Sequence, residues 1–524
     1  MNTSFDSRRL RARTVAWLAA LVCVPSLFGL FRQGMDANWD LRNYHLYNPH
    51  AWLTGRDSLD VAAAQLQSFH NPLLDVPLYL LVSSGAPTLL AGLWLLLPTM
   101  ACLALLLRLQ RVLSPAPPDR TAQVVLVLLA ISGAATWSML ASSMNDPFVA
   151  AAMLASLALV VHPDAEVRSR HWLLAGALAG AMAGLKLTAS FYCFGLAASA
   201  LVGGGSLRLR LTRLGLLALG GIGGAALTFG YWGWHLYQLH GNPVFPYFNH
   251  VFASPDAMPW PWTDNRFRTR GAWDALTSPF QLLRTTRHFS EIGLRDPRLL
   301  GAIAGLALLW ALARRRDERQ TERHAVRLLV FLLVSWMLWC LQYGIYRYAM
   351  TLELLGALAM VSVAARLPKA RVAGWVLLLL VVSADTRRPD WNRTKWSASL
   401  VPAALKLPDD ALVVTASGEP LAYLALALPP TVPMIGLSNN LMSPDHCRGL
   451  QVRAEGALAR HRGPVYLLAG DQQRAAQRLL ERNYGLRAAG TCQTVAGALE
   501  PATLCPQKRL AQGRVCASET APAQ

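Results

Sequence analysis

The chain has 524 residues, 53% of them hydrophobic and only 15% charged, with a formal net charge of +19. Soluble proteins carry about 25% charged residues, so this composition excludes an ordinary soluble globular protein. The basic excess suggests nucleic acid, but its placement argues against that partner: the cations cluster in short breaks between long apolar runs.

Arg8, Arg9, Arg11 and Arg13 precede an apolar run at 15–31. No small-residue cleavage site follows it and many further apolar runs do, so a retained first helix is expected rather than a signal peptide. Further spans are expected near 88–107, 121–139, 147–161, 172–186, 189–203, 214–234, 298–313, 326–342, 346–365 and 372–384, about eleven helices in all. The basic clusters fall at 8–13, at Arg108/Arg111/Arg120, Arg168/Arg170, Arg208/Arg210/Arg213, at 314–327 and at Arg366/Lys369/Arg371. Every one of them is cytoplasmic if alternate breaks face the cytoplasm, which is the positive-inside pattern. The expected topology is a multi-pass protein of a bacterial inner membrane, N-terminus inside and C-terminus outside. A transmembrane domain, 1–384, carries external loops 32–87 and 235–297, and a periplasmic domain spans 385–524.

Residues 73–84 are apolar, but Pro72, Pro77 and Pro87 interrupt them. About twelve residues are too few to cross a bilayer, so this segment reads as a helix lying on the outer leaflet. The glycine run at 220–224 lies inside a span and reads as helix packing. In the tail, 411–416 and 465–469 read as strands, 420–428 and 472–482 as helices, which makes a small α/β domain. The tail holds Cys447, Cys492, Cys505 and Cys516; an even set in an exported domain suggests up to two disulfides, with three possible pairings. Cys23, Cys102, Cys193 and Cys340 lie in spans, as small apolar fillers.

Chemistry concentrates after the first span, where Asp36, Asp40, Tyr44, His45 and Tyr47 lie close together. An acidic group at a membrane surface costs desolvation free energy unless it is paired or used. Asp40 is one helical turn before Tyr44, so the two can share a face; the plainer reading makes Asp40 the N-cap of a helix starting at Leu41. Asp146 before Pro147 is either a second acidic site or an ordinary helix start. Lys186 and Arg347 lie at external ends of spans, where cations suit a phosphate; Lys186 also fits a snorkelling role. Glu353 lies further along the helix that Arg347 precedes and is expected to pair inside the bundle. The loop from His240 through Trp262, rich in Pro and aromatics, fits interfacial anchoring or sugar stacking. No phosphate loop, zinc spacing or dinucleotide fingerprint is present.

Taken together these features resemble the GT-C class of integral-membrane glycosyltransferases, in the dolichyl-phosphate-mannosyltransferase and aminoarabinose-transferase-like superfamily. The resemblance rests on Asp40, Tyr44 and the segment 51–56 ending Gly55-Arg56, on Asp146, on Arg347-Tyr348 and on the amphipathic segment 73–84, and it covers roughly 1–365. It implies a polyprenyl-phosphate-linked sugar donor, a lipid or glycan acceptor, and membrane lipids as surroundings. It implies Asp40 and Asp146 as catalytic residues, with Arg347, Lys186, Tyr44, Tyr348, Asp36 and His45 binding substrate. The commoner acidic pair of the class is here Asp40-Leu41, so no metal and no cofactor are expected. The rival expectations are a transporter or flippase for lipid-linked sugars, marked by charges at mid-membrane and repeat symmetry, and a non-catalytic assembly protein acting through its tail.

Overall fold

The computed structural model describes residues 2–162, 168–260, 262, 264–366, 371–396, 399–497, 499–510, 513 and 516, with side chains described from residue 12 onward except at 371–373. Lys369, Pro261 and the side chains of Arg8, Arg9, Arg11 and Arg371 therefore lie outside the described residues. Each of the eleven apolar segments is helical. Among the described residues, five helices are long and apolar enough to cross a bilayer: Ala12–Gln33, Thr88–Leu113, Leu207–His240, Arg319–Gln342 and Tyr346–Ala364. The helices Arg120–Ile131, Asp146–Val160, Leu187–Ala200 and Gly374–Ala384 are apolar but shorter. This is a membrane protein, and it divides into two compact units.

The first unit comprises Met1–Gly34, Gly92–Phe229 and Asp264–Trp391 and holds most of the apolar helices. Its helices approach closely where side chains are absent. A Cβ on Gly220 would lie 2.0 Å from the Leu173 carbonyl, and one on Gly224 would lie 2.1 Å from that of Ala177. These glycines let the helix Leu207–His240 press its backbone against the helix Ser169–Leu185, the expected small-residue packing.

The segment expected as one span at 121–139 is not continuous. The helix Arg120–Ile131 stops at Ser132, and a short helix, Ala134–Ser138, follows Gly133. The break exists because side chains from elsewhere take over the backbone donors. Asp296 accepts from the Ala134 N–H at 2.7 Å, and Glu353 accepts from the N–H groups of Ala135 (2.7 Å) and Thr136 (2.9 Å) and from the Thr136 hydroxyl (2.6 Å). Arg298 closes the network. Its guanidinium donates to both Asp296 oxygens at 3.0 and 2.9 Å, to the Leu129 carbonyl at 3.0 Å, and to the hydroxyls of Ser132 and Thr386 at 2.8 Å each. All three charged side chains are buried. The Ser132-Gly133 dipeptide is the local signal for this break, which the expectation of one span passed over.

The second unit comprises Met35–Ala91, Gly230–Thr263 and Asn392–Gln524. Two short strands, Met35–Asp36 (β1) and Arg393–Thr394 (β2), pair antiparallel. The tail forms a mixed sheet from Leu412–Thr415 (β3), Met434–Gly436 (β4), Val465–Ala469 (β5), Leu486–Ala488 (β6), Gln493–Thr494 (β7) and Thr503–Arg509 (β8), in the order β4-β3-β5-β8-β6, with β7 on β8. β3 runs parallel to β4 and β5, whereas β8 runs antiparallel to its neighbours. Both expected strands are present. The helix expected at 472–482 runs over Gln473–Tyr484, and the one expected at 420–428 is a tighter 3₁₀ turn, Ala422–Ala427.

The loop after the first span docks on this sheet. Val61 continues the pairing beyond β4: its N–H donates to the Met434 carbonyl at 3.1 Å and its carbonyl accepts from Gly436 at 2.9 Å. Arg56 and Asp60 form a buried pair, and Asp60 also accepts from the Met434 N–H at 2.7 Å. The short apolar helix is Val76–Ser83, with Leu78, Tyr79 and Val82 buried. The tail cysteines pair as Cys447–Cys516 and Cys492–Cys505, one of the three arrangements open to the sequence.

Removing one partner from a buried charge network leaves the others uncompensated, at a cost of about 3–5 kcal/mol. Arg298→Met should lower the thermal midpoint of the detergent-solubilised protein accordingly, and Arg298→Lys should recover only part of it, because one ammonium cannot reach five acceptors in four directions.

Candidate functional site

In the first unit three helix breaks converge. Asp146 opens the helix Asp146–Val160, with Pro147 in its first turn. Lys186 sits where the helix Ser169–Leu185 ends and the backbone turns extended (φ −140°, ψ 103°). Arg347 lies in the 3₁₀ turn Tyr346–Ala349 that leads into the helix Met350–Ala364. The Lys186 Nζ donates to Asp146 Oδ1 at 2.7 Å, and Arg347 Nη1 is 3.6 Å from Asp146 Oδ2. Tyr348 completes the group: its ring centroid is 5.2 Å from Lys186 Nζ and 5.1 Å from Arg347 Cζ. The Tyr348 carbonyl accepts from the Tyr192 hydroxyl at 2.7 Å, which fixes the turn.

Two cations thus meet at one carboxylate. All three side chains are largely shielded, Asp146 being 3% exposed, so the interactions among their charges are weakly screened. The planar donor fork of an arginine such as Arg347 matches the geometry of a phosphate. Four of the sequence-derived candidates, Asp146, Lys186, Arg347 and Tyr348, are thus one cluster. Lys186 is engaged with a carboxylate and a ring rather than snorkelling free.

The other four candidates belong to the second unit. Asp36, in β1, accepts from the Asn38 amide group at 2.6 Å. Asp40 begins a wide helical turn that runs through Leu41–His45. The plainer expectation, Asp40 as N-cap at Leu41, is corrected: Asn38 Oδ1 accepts from the Leu41 N–H at 2.8 Å, and Asp40 itself has helical backbone angles. Tyr44 is buried, its ring 4.1 Å from that of His45 and edge-on to His70 at 5.2 Å. His45 is fully buried, with Nδ1 2.9 Å from Asp75 Oδ1. A carboxylate on one ring nitrogen sets the tautomer and orientation of a histidine, so His45 belongs to a buried dyad.

Sequence reading missed Asp75, Glu500 and Glu419. Glu500 pairs with Arg42. Trp39, Arg42, Glu419, Tyr423, Asp471 and Glu500 line a cleft of about 260 Å³ in this unit, beginning one residue before Asp40. Asp75 stood in plain view, an acidic residue one position before an apolar helix, but its partner lies 30 residues away. The fully buried charges of the first unit resemble the signature expected of a transporter. Asp296, Arg298 and Glu353, however, are spent on one another and on backbone donors.

No family model matches the chain and no curated protein matches it. Among solved structures it is similar to the arabinofuranosyltransferase AftD from Mycobacteria, at 14% identity over 95% of this chain and 40% of that one, with a TM-score of 0.46. A mutant of the same protein gives 15% identity over 94% and 41%, with a TM-score of 0.48. It is also similar to the Archaeoglobus fulgidus oligosaccharyltransferase in its apo form, at 13% identity over 90% of this chain and 73% of that one, with a TM-score of 0.45. The chain spans about two fifths of the length of AftD.

His50, behind the Asp40–His45 turn, packs against Tyr79 with Nδ1 3.0 Å from the hydroxyl. Burial, helped by the charge of Arg56, lowers its pKa from the usual 6.5 to about 4. The native state therefore keeps this ring neutral, whereas the unfolded chain protonates it near 6.5. Stability is present above pH 6.5 and falls as pH drops toward 4. Unfolding of the second unit followed between pH 7 and pH 4 should show this loss, and His50→Gln should flatten it.

Proposed function

We propose that the chain is a glycosyltransferase that moves a sugar from a polyprenyl phosphate to a hydroxyl of a lipid or glycan acceptor. It would work at the periplasmic face of a bacterial inner membrane, serve cell-envelope glycan or glycolipid synthesis, and cross the membrane about eleven times. Residues 385–524 would form its periplasmic domain. The observation that supports this reading most is the Asp146–Lys186–Arg347–Tyr348 cluster, in which two cations and a ring from distant chain segments gather at one carboxylate.

In the proposed reaction Asp40 takes the proton of the acceptor hydroxyl. The acceptor oxygen attacks the anomeric carbon as the bond from that carbon to the phosphate oxygen breaks. The electron pair leaves with the polyprenyl phosphate, and the configuration inverts. Arg347 and Lys186 hold the leaving phosphate, while Asp146 fixes the direction of both cations. Donors aimed at developing charge supply the largest single share of many rate enhancements. Tyr44, Tyr348, Asp36 and His45 shape the substrate sites, His45 through its bond to Asp75. The reading assigns no metal and no cofactor, because Leu41 stands where the class commonly has a second acidic residue.

The test is to incubate purified protein with radiolabelled polyprenyl-phosphate sugars and membrane lipids and to look for a new glycosidic bond. Asp40→Asn should reduce transfer by about 10²–10⁴-fold with the fold intact. Arg347→Ala should cost about 10²–10³-fold and Arg347→Lys less. Full activity in Asp40→Asn removes the base. Movement of intact lipid-linked sugar across vesicles, with no bond formed by any donor, would sink the enzyme reading in favour of a transporter.

A further inference from the structure

The Pro- and Trp-rich loop of the second unit has no part in the chemistry above. Its Trp260 and Trp262 line one side of a cleft of about 240 Å³, and the tail segment around Asn440, Ser443 and His446 lines the other. Both walls are pinned. The Asn249 amide donates to the carbonyls of Ser254, Ala257 and Met258 at 3.0, 3.1 and 2.9 Å. Asp256 is clasped by His240 at 2.7 Å and by Arg453, and the Pro255 carbonyl accepts from the Gly449 N–H at 2.9 Å. On the tail side Asn439 Oδ1 accepts from the N–H groups of Leu441 (2.9 Å) and Met442 (3.0 Å), and the Cys447–Cys516 bridge follows directly. The cleft is therefore preformed, which lowers the ordering cost of binding.

Each indole makes a T-shaped contact with one other ring. His446 meets the Trp260 ring at 6.2 Å and 80°, and Tyr247 meets Trp262 at 5.9 Å and 77°. Such a contact takes at most one face of an indole, and Trp260 is 54% exposed. None of the described residues lining the cleft is Asp, Glu, Lys or Arg. An aromatic face takes the C–H face of a sugar ring, while an amide, a hydroxyl and an imidazole take its hydroxyls. A phosphate or an acidic sugar would find no counter-charge, and an acyl chain would strand these polar groups.

We propose that this cleft binds one neutral saccharide unit, as a subsite for a glycan acceptor. The acceptor role rests on the transfer reading above; the saccharide site itself does not. The cleft wall is also joined to the loop that carries Asp40. The Asn440 side chain accepts from the Leu66 N–H at 2.9 Å and donates to Gln67 at 3.1 Å.

The experiment is equilibrium binding to the full chain in nanodiscs, with no donor present, by saturation-transfer NMR. The probes are neutral hexasaccharides of glucose, galactose, mannose and arabinose, with hexagalacturonate as the acidic control. At least one neutral probe should bind saturably, and the acidic one should not. Trp260→Ala and Trp262→Ala should each weaken binding about tenfold, the loss of roughly one stacking contact. Trp262→Phe, which keeps a ring, and Asp40→Asn should retain it. The proposal is overturned if no neutral probe binds, or if binding is unchanged in both alanine variants. It is also overturned if brominated acyl chains quench a fluorescence component that Trp260→Phe removes, since that makes the loop a membrane anchor. Binding without any glycosyl transfer would sink only the enzyme reading, and transfer without cleft binding only this one.

Discussion

A carboxylate held between two cations is the interaction on which the functional reading depends. Asp146 is nearly inaccessible to solvent, and a buried charge without partners is too costly to keep. Lys186 and Arg347 remove that cost, and Asp146 does the same for them. Each of the three comes from a point where a helix starts or stops, so the group forms only when three chain-distant breaks lie at the same level.

The first unit contains the contrasting case. Asp296, Arg298 and Glu353 are as deeply buried, but their hydrogen bonds run inward, to each other, to hydroxyls and to the first N–H groups of a short helix. Asp296 takes the guanidinium and one helix N–H, while Glu353 is held by the next N–H groups of that helix and the Thr136 hydroxyl. That network is closed and serves architecture, turning the chain at Ser132–Gly133.

In the second unit, segments separated by hundreds of residues become one structure through backbone and charge. Val61 adds to the edge of the tail sheet, Arg56 and Asp60 reach the carbonyl and N–H groups around β4, and Arg42 pairs with Glu500. The turn bearing Asp40, Tyr44 and His45 is thereby braced on a disulfide-bonded domain rather than left as a free loop. Burial of His50 and of the His45–Asp75 dyad behind it adds to that rigidity. A base that must meet a hydroxyl at hydrogen-bond distance benefits from such bracing.

The sequence by itself determined what depends on composition and period. The helices follow from apolar runs, since backbone polar groups must be satisfied locally in a bilayer. Two tail strands and the close packing of Gly220 and Gly224 were legible for the same local reasons. Tertiary structure alone decided what depends on partners far along the chain. It selected one cysteine pairing among three, bound His45 to Asp75, and brought Asp296 and Glu353 to the break at Ser132–Gly133. It also joined Asp146 to Lys186 and Arg347, residues 40 and 201 positions away. Local pattern records which face of an element is apolar; it holds no record of which distant charge arrives to pair with it, because that is settled by how the whole fold closes.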